Sequence, residues 1–174
     1  PLRTGALAVL LVLLVAIRPW LQRVVERESA LTRKVRTDHF GRTVTALLAV
    51  TARAMIPALI FLLLGWQLQF AGAPDMFVAA VGAGLEATAY IVLGLNFLTN
   101  LLRDKGIGDI QFNWPVAARR SVRWNLRWLA PLIVFAGFCI WASEAQDAEL
   151  IRASLGRLAF IAAMLALALF IARV

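Results

Sequence analysis

The sequence predicts an all-α integral membrane fold of about five transmembrane helices, with the N-terminus outside and the C-terminus cytoplasmic. Three observations predict it: the bulk composition, the length of the apolar blocks, and the segregation of the basic residues. The 174 residues are 61% hydrophobic and 16% charged, with a mean hydropathy of +0.79. An ordinary globular domain is about 45–50% apolar and about 25% charged. So short a chain cannot hide this much apolar surface from water, because small domains leave much of their surface exposed. Lipid is the solvent that removes the conflict. Segments of alternating polarity separated by turns are absent, which argues against a β-barrel.

The predicted helices run over about 5–20, 44–70, 76–102, 128–143 and 158–174. A spanning helix needs roughly 20 apolar residues at about 1.5 Å of rise each. The second and third blocks reach that length unaided, and the fourth and fifth reach it with their flanking turns. The first block is short, yet its basic residues Arg18, Arg23 and Arg27 follow it instead of preceding it. That order, with no small-x-small site after Trp20, predicts a retained anchor and not a cleaved leader. Pro1 in place of Met, and an end inside an apolar run, predict a piece of something longer. Between the second and third blocks lies Gln69-Phe70-Ala71-Gly72-Ala73-Pro74-Asp75, a Gly/Pro turn of the kind that joins two antiparallel helices. Pro57 and Pro131 are expected to bend their helices.

The net charge of +8 does not indicate nucleic acid, because the basic residues are not spread over a surface. Residues 18–43 carry Arg18, Arg23, Arg27, Arg33, Lys34, Arg36 and Arg42, and residues 103–127 carry Arg103, Lys105, Arg119, Arg120, Arg123 and Arg127. The other two connections hold none and two, Arg152 and Arg157, beside Glu144, Asp147 and Glu149. Basic connections stay cytoplasmic, so an odd number of spans puts the two ends on opposite sides. Tryptophans agree: Trp20 and Trp128 fall at predicted cytoplasmic boundaries and Trp66 and Trp141 near outer ones, where amphipathic rings favour the headgroup layer.

Two connections could carry function. In 18–43, Leu21, Val24, Val25, Leu31 and Val35 recur at helical spacing, and the pattern breaks near Asp38-His39-Phe40-Gly41. His39 stands alone, without other metal-ligand types around it, and is read as a helix-end or loop residue. In 103–127, Asp104-Lys105-Gly106-Ile107-Gly108-Asp109 reads as a turn, and Pro115 suits the first turn of a helix. Arg119, Arg123 and Arg127 repeat every four residues, as do Trp124 and Trp128. With Arg120 and Trp114 these are the candidate lipid-interface residues. Two readings stand: a helix lying at the membrane surface with its arginines on lipid phosphates, or a topology signal at the cytoplasmic end of the fourth helix.

Arg53 and Glu86 are charges inside apolar blocks, which are costly in lipid. Arg53 lies about 12 Å into its helix and Glu86 about 22 Å from the cytoplasmic end of its own, at 1.5 Å per residue. They could pair across about 10 Å of depth, or Arg53 could snorkel to the headgroups. Glu86, with no such exit, is expected to meet a polar partner or a wet crevice. Ala79, Ala80, Gly82, Ala83, Gly84 and Ala87 on the same helix suit close packing in the hairpin, and the same composition could line a pore. Cys139, the single cysteine, excludes an intrachain disulfide and reads as a small hydrophobe. Paired carboxylates, a Ser/His/Asp set, a phosphate loop and a HExxH pattern are all missing, so no catalytic, cofactor or metal residues are assigned and an enzyme is not expected.

Phe112-Asn113-Trp114-Pro115, the Arg119-Arg120 pair, Arg127-Trp128-Leu129-Ala130-Pro131-Leu132-Ile133 and Ser154-Leu155-Gly156-Arg157-Leu158-Ala159-Phe160-Ile161 resemble the inner-membrane region of large MscS-like mechanosensitive channels. The resemblance is to the many-helix MscK and MscM type of Gram-negative bacteria, and residues 40–174 carry most of it. It implies a homo-heptameric inner-membrane channel that opens under bilayer tension and releases ions and small solutes on hypo-osmotic shock. The family's Gly/Ala-rich pore helix and β-rich cytoplasmic vestibule are not in these residues. What remains corresponds to the peripheral helices ahead of the pore, the part that lies in lipid and feels tension. The rival expectation is a multi-pass scaffold or transporter subunit without tension sensing.

Overall fold

The computed structural model describes residues 40–71, 75–103, 114–146 and 152–174, together with scattered positions between 5 and 23. Four helices follow in order: α1 (Phe40–Ala71), α2 (Met76–Leu101), α3 (Val116–Glu144) and α4 (Arg157–Arg173). A π-helical turn, Arg152–Gly156, leads into α4. The four, α4 together with part of its leading turn, provide stretches long and apolar enough to cross a membrane, beginning at Val50, Met76, Val116 and Ser154. Of the first apolar block, Gly5, Val9, Val12, Leu13, Val15, Ala16, Ile17, Pro19, Trp20 and Arg23 are described, and all are helical and exposed. His39 and the Asp104–Asp109 turn, with the surface-helix pattern of 24–36, lie outside the described residues.

Lipid requires backbone groups to be satisfied inside the segment, and side-chain hydroxyls follow the same rule. Thr51, Thr88 and Thr99 donate to the carbonyls of Leu47, Gly84 and Leu95 at 2.9, 2.6 and 2.7 Å. Asp75 starts α2: its Oδ1 accepts the Phe77 N–H at 2.9 Å, satisfying one of the amides that a helix start leaves free. That capping explains why the helix begins at Met76, where the apolar pattern predicts it. Pro57 and Pro131 sit inside α1 and α3 without ending them.

The boundary that differs is that of α3. It starts at Val116 and not at 128, so much of the expected basic connection is the first three turns of the spanning helix itself. The backbone N–H of Arg119 donates to the Pro115 carbonyl at 3.1 Å, and its Nε donates to the Trp114 carbonyl at 3.1 Å. Apolar content marks where lipid begins, whereas these capping bonds mark where the helix begins.

The chain divides into two compact units: Pro1–Ile56 with Gly94–Trp124, and Pro57–Leu93 with Asn125–Val174. In the first, Val50, Ala54, Ile56, Leu102 and Arg119 are buried. In the second, α2 is the central helix, and glycines set its contacts. A Cβ on Gly65 of α1 would lie 2.7 Å from the Gly82 carbonyl oxygen and 2.8 Å from the Glu86 nitrogen; one on Gly82 would lie 2.7 Å from the Gly65 carbonyl oxygen. The two backbones therefore touch where side chains would hold them apart. On its other side, Gly84 meets Ala142 and Phe138 of α3, and Gly137 of α3 receives the Ile91 side chain. Gly82 and Gly84 of α2 thus pack against α1 and α3 respectively. By contrast, α4 buries little beyond Ala163 and Ala166.

Candidate functional site

Two places bring chemistry-bearing side chains together: the start of α3, and the Gly65–Gly82 crossing. At the first, helix geometry sorts the arginines. A residue advances about 100° around an α-helix, so positions seven apart return to nearly the same face and positions four apart drift by about 40°. Arg120, Trp124 and Arg127 accordingly share one exposed face, which continues into Pro131 and Phe135. Trp124 is 66% exposed and Phe135 68%. The opposite face carries Asn125, Leu126, Leu129 and Ala136, all buried. The exposed face therefore changes along its length from cationic and aromatic to apolar, the sequence of environments met on passing from phosphate layer to acyl chains.

Arg119 does not belong to that face. It is only 4% exposed, with its Nε on the Trp114 carbonyl, so it fastens the helix start and is turned away from lipid. Arg123 is half-buried, between the two faces, and Trp114 is exposed. The four-residue stripe expected to lie together on phosphates thus winds from the buried side to the exposed one, and the exposed cationic pair is Arg120 with Arg127. Trp128 is half-buried. Its Nε1 donates to the Asn125 Oδ1 at 3.1 Å, and the Arg173 guanidinium of α4 lies 5.7 Å from its ring centre.

At the crossing, Gln69 Nε2 donates to Glu86 Oε2 at 2.7 Å, which gives Glu86 the polar partner that its depth demands. Side chains on a helix lean toward its N-terminus. In an antiparallel pair they lean toward each other, and the absent Cβ atoms of Gly65 and Gly82 leave the room. Arg53 stands sixteen residues before Gln69 on α1, about 24 Å of helix at 1.5 Å per residue. It lies only three residues inside the Val50 limit of the apolar span, or about 4.5 Å, and is half-buried. Glu86 is thus bonded to Gln69. Gly65 and Gln69 were not legible as a site from composition. The available signal was a matched spacing, Gly65 with Gln69 and Gly82 with Glu86, each four apart.

Near the outer boundary expected for α1, Trp66 and Phe70 stack edge to face at 5.0 Å and 86°, with both rings exposed. Trp141 is likewise exposed, and Cys139 is half-buried among the apolar residues of α3. Among the described residues, no group of three or more His, Cys, Asp or Glu could hold a metal ion.

The family described as mechanosensitive ion channel inner membrane domain 1 matches residues 1–174. The chain is similar to the miniconductance mechanosensitive channel MscM of Escherichia coli (strain K12), with 29% identity over 146 residues, covering 83% of this chain. It spans only 13% of that relative's length. No solved structure matches it.

Proposed function

The chain belongs to the family of mechanosensitive ion channel inner membrane domains, and from that membership we propose that it is the tension-sensing peripheral region of a larger, homo-oligomeric channel. It is a multi-pass helical region of the bacterial inner membrane, and membership in a channel family supports a role without catalysis. The full-length protein, a heptamer by family resemblance, would release ions and small solutes on hypo-osmotic shock, with its pore and vestibule outside this chain. The N-terminus lies outside and the basic start of α3 faces the cytoplasm.

The observation that carries the sensing role is the exposed face of α3. Its 29 residues extend about 43 Å at 1.5 Å each, against a hydrocarbon core of about 30 Å. With Trp141 and Glu144 at the outer boundary, Trp124 reaches the inner one and Val116–Arg123 project beyond it by about 12 Å. Arg120 and Arg127 hold that end to phosphates, each contributing about 1 kcal/mol near an anionic leaflet. A helix anchored at both interfaces must change tilt when the bilayer thins, and tension favours whichever arrangement suits the thinner membrane. Patch recordings of the full-length protein test this. Changing Arg119, Arg120, Arg123 and Arg127 together to Gln should shift the opening pressure, with the Arg120/Arg127 pair accounting for the lipid part of the shift. An unchanged threshold removes the lipid-coupling role.

A further inference from the structure

Two contacts tie α3 to α4 with its leading turn. At its start, Gly156 presses on Ser143 of α3: a Cβ there would lie 2.9 Å from Ser143 Oγ. Ser143 is buried and its hydroxyl donates to the Ile140 carbonyl at 2.8 Å. At its finish, Arg173 sits over the Trp128 ring, 5.7 Å from its centre. The two fastenings have matching spacings. Gly156 to Arg173 is seventeen residues, about 25 Å of helix, and Ser143 to Trp128 is fifteen, about 22 Å. So α4 runs antiparallel along α3 with one register. Between the fastenings only Ala163 and Ala166 are buried, while Leu158, Phe160, Ile161, Met164, Leu165, Leu169 and Ile171 are exposed.

A helix so thinly packed is free to part from its neighbour unless these two contacts hold, and the two differ in kind. The Gly156–Ser143 contact sets the Gly156 backbone against the Ser143 side chain. The Arg173–Trp128 contact is electrostatic, a guanidinium over the negative face of an indole. Trp128 cannot turn away freely, because its Nε1 is tied to Asn125 Oδ1, and Asn125 is itself buried at 6% exposure.

We infer that Asn125, Trp128 and Arg173 form a latch, a set of positioning residues that holds α4 against α3 at Arg173 and raises the tension needed to separate them. The latch touches no permeant and no pore. It acts through the tilt of α4, and its effect on gating rests on the tension-sensing reading above, whereas its effect on the helix end does not.

The test uses the full-length protein with R173Q, W128L and the double variant, beside R173K and W128F, which keep a cation and an aromatic face. Hydrogen exchange of the last turn of α4 is measured in lipid nanodiscs, and opening pressure in patches. R173Q and W128L should each speed exchange at 170–174 and lower the opening pressure, by on the order of 2- to 5-fold in the open-to-closed ratio at fixed pressure. The double variant should add nothing further, and R173K and W128F should stay near the parent. Additive effects, a raised threshold, or exchange unchanged in both single variants overturns the latch. If the parent protein gives no tension-activated current, the sensing role fails, and exchange alone decides the latch.

Discussion

Replacing Gly65 by Ala perturbs the α1–α2 hairpin at its closest point. The added Cβ would lie 2.7 Å from the Gly82 carbonyl oxygen, 2.8 Å from the Glu86 nitrogen and 3.2 Å from the Leu85 Cβ. The first two are backbone atoms, which cannot rotate aside, so the helices must move apart by roughly half an ångström or more to restore van der Waals contact. Overpacking of this kind costs about 1–3 kcal/mol. The same displacement stretches the Gln69–Glu86 hydrogen bond from 2.7 Å toward the limit of its range. Bonds between transmembrane helices contribute about 0.6 kcal/mol on average, so the loss should approach the upper part of that range. The control is Gly94→Ala, because a Cβ at Gly94 meets nothing within 4 Å and Ala is the better helix former by about 1 kcal/mol in water. Thermal unfolding of the purified protein in mild detergent reads both variants. Gly65→Ala should melt clearly below the parent and Gly94→Ala at or above it. Equal melting temperatures would refute the claim that the crossing depends on the absent Cβ.

Further outcomes follow from the same geometry. Glu86→Gln keeps an acceptor for the Gln69 amide and should be nearly neutral in stability, whereas Gln69→Leu strands a carboxylate in lipid and should destabilise by about 1–3 kcal/mol, read by the same melts. Arg119→Gln should cost stability at the start of α3 without weakening the binding of anionic lipid to the detergent-solubilised protein. Arg120→Gln with Arg127→Gln should do the reverse, weakening anionic-lipid binding roughly 10- to 30-fold at about 1 kcal/mol per charge. In a Cys139→Ser background, a cysteine at Gln146 should react with an impermeant thiol reagent added to intact cells and one at Arg103 should not; the opposite labelling would invert the proposed topology.

The helices were legible because lipid imposes one demand, a long apolar run, and that demand is written directly in composition. The start of α2 was legible for the same reason, with Asp75 supplying the cap. For α3, Pro115 marks a helix start in the sequence, but its continuity with the spanning helix was not legible, because Arg119, Arg120, Arg123 and Arg127 interrupt the apolar run. The face of each arginine was legible only in part. A four-residue repeat suggests a stripe, but the 40° drift per step is enough, over Arg119, Arg123 and Arg127, to carry it from the buried side to lipid. The seven-residue pair Arg120 and Arg127 holds its direction.

Glu86 stands out in the sequence and its partner Gln69 does not. A carboxylate in an apolar block announces a cost, so a compensating group is required, but nothing in the residue itself says which. The answer depends on where two helices can touch, and that is decided by Gly65 and Gly82, residues with no side chain to signal anything. In lipid the apolar side chains have no preference for one another over acyl chains, so helix pairing falls to close backbone approach and the few polar bonds it permits. The polar pair and the glycine pair are therefore one feature: the glycines bring Gln69 within 2.7 Å of Glu86, and that bond makes the half-buried carboxylate tolerable. A hairpin joined in this way resists opening from within, and in the proposed sensing role tension acts on the more thinly held α4 and on the exposed face of α3.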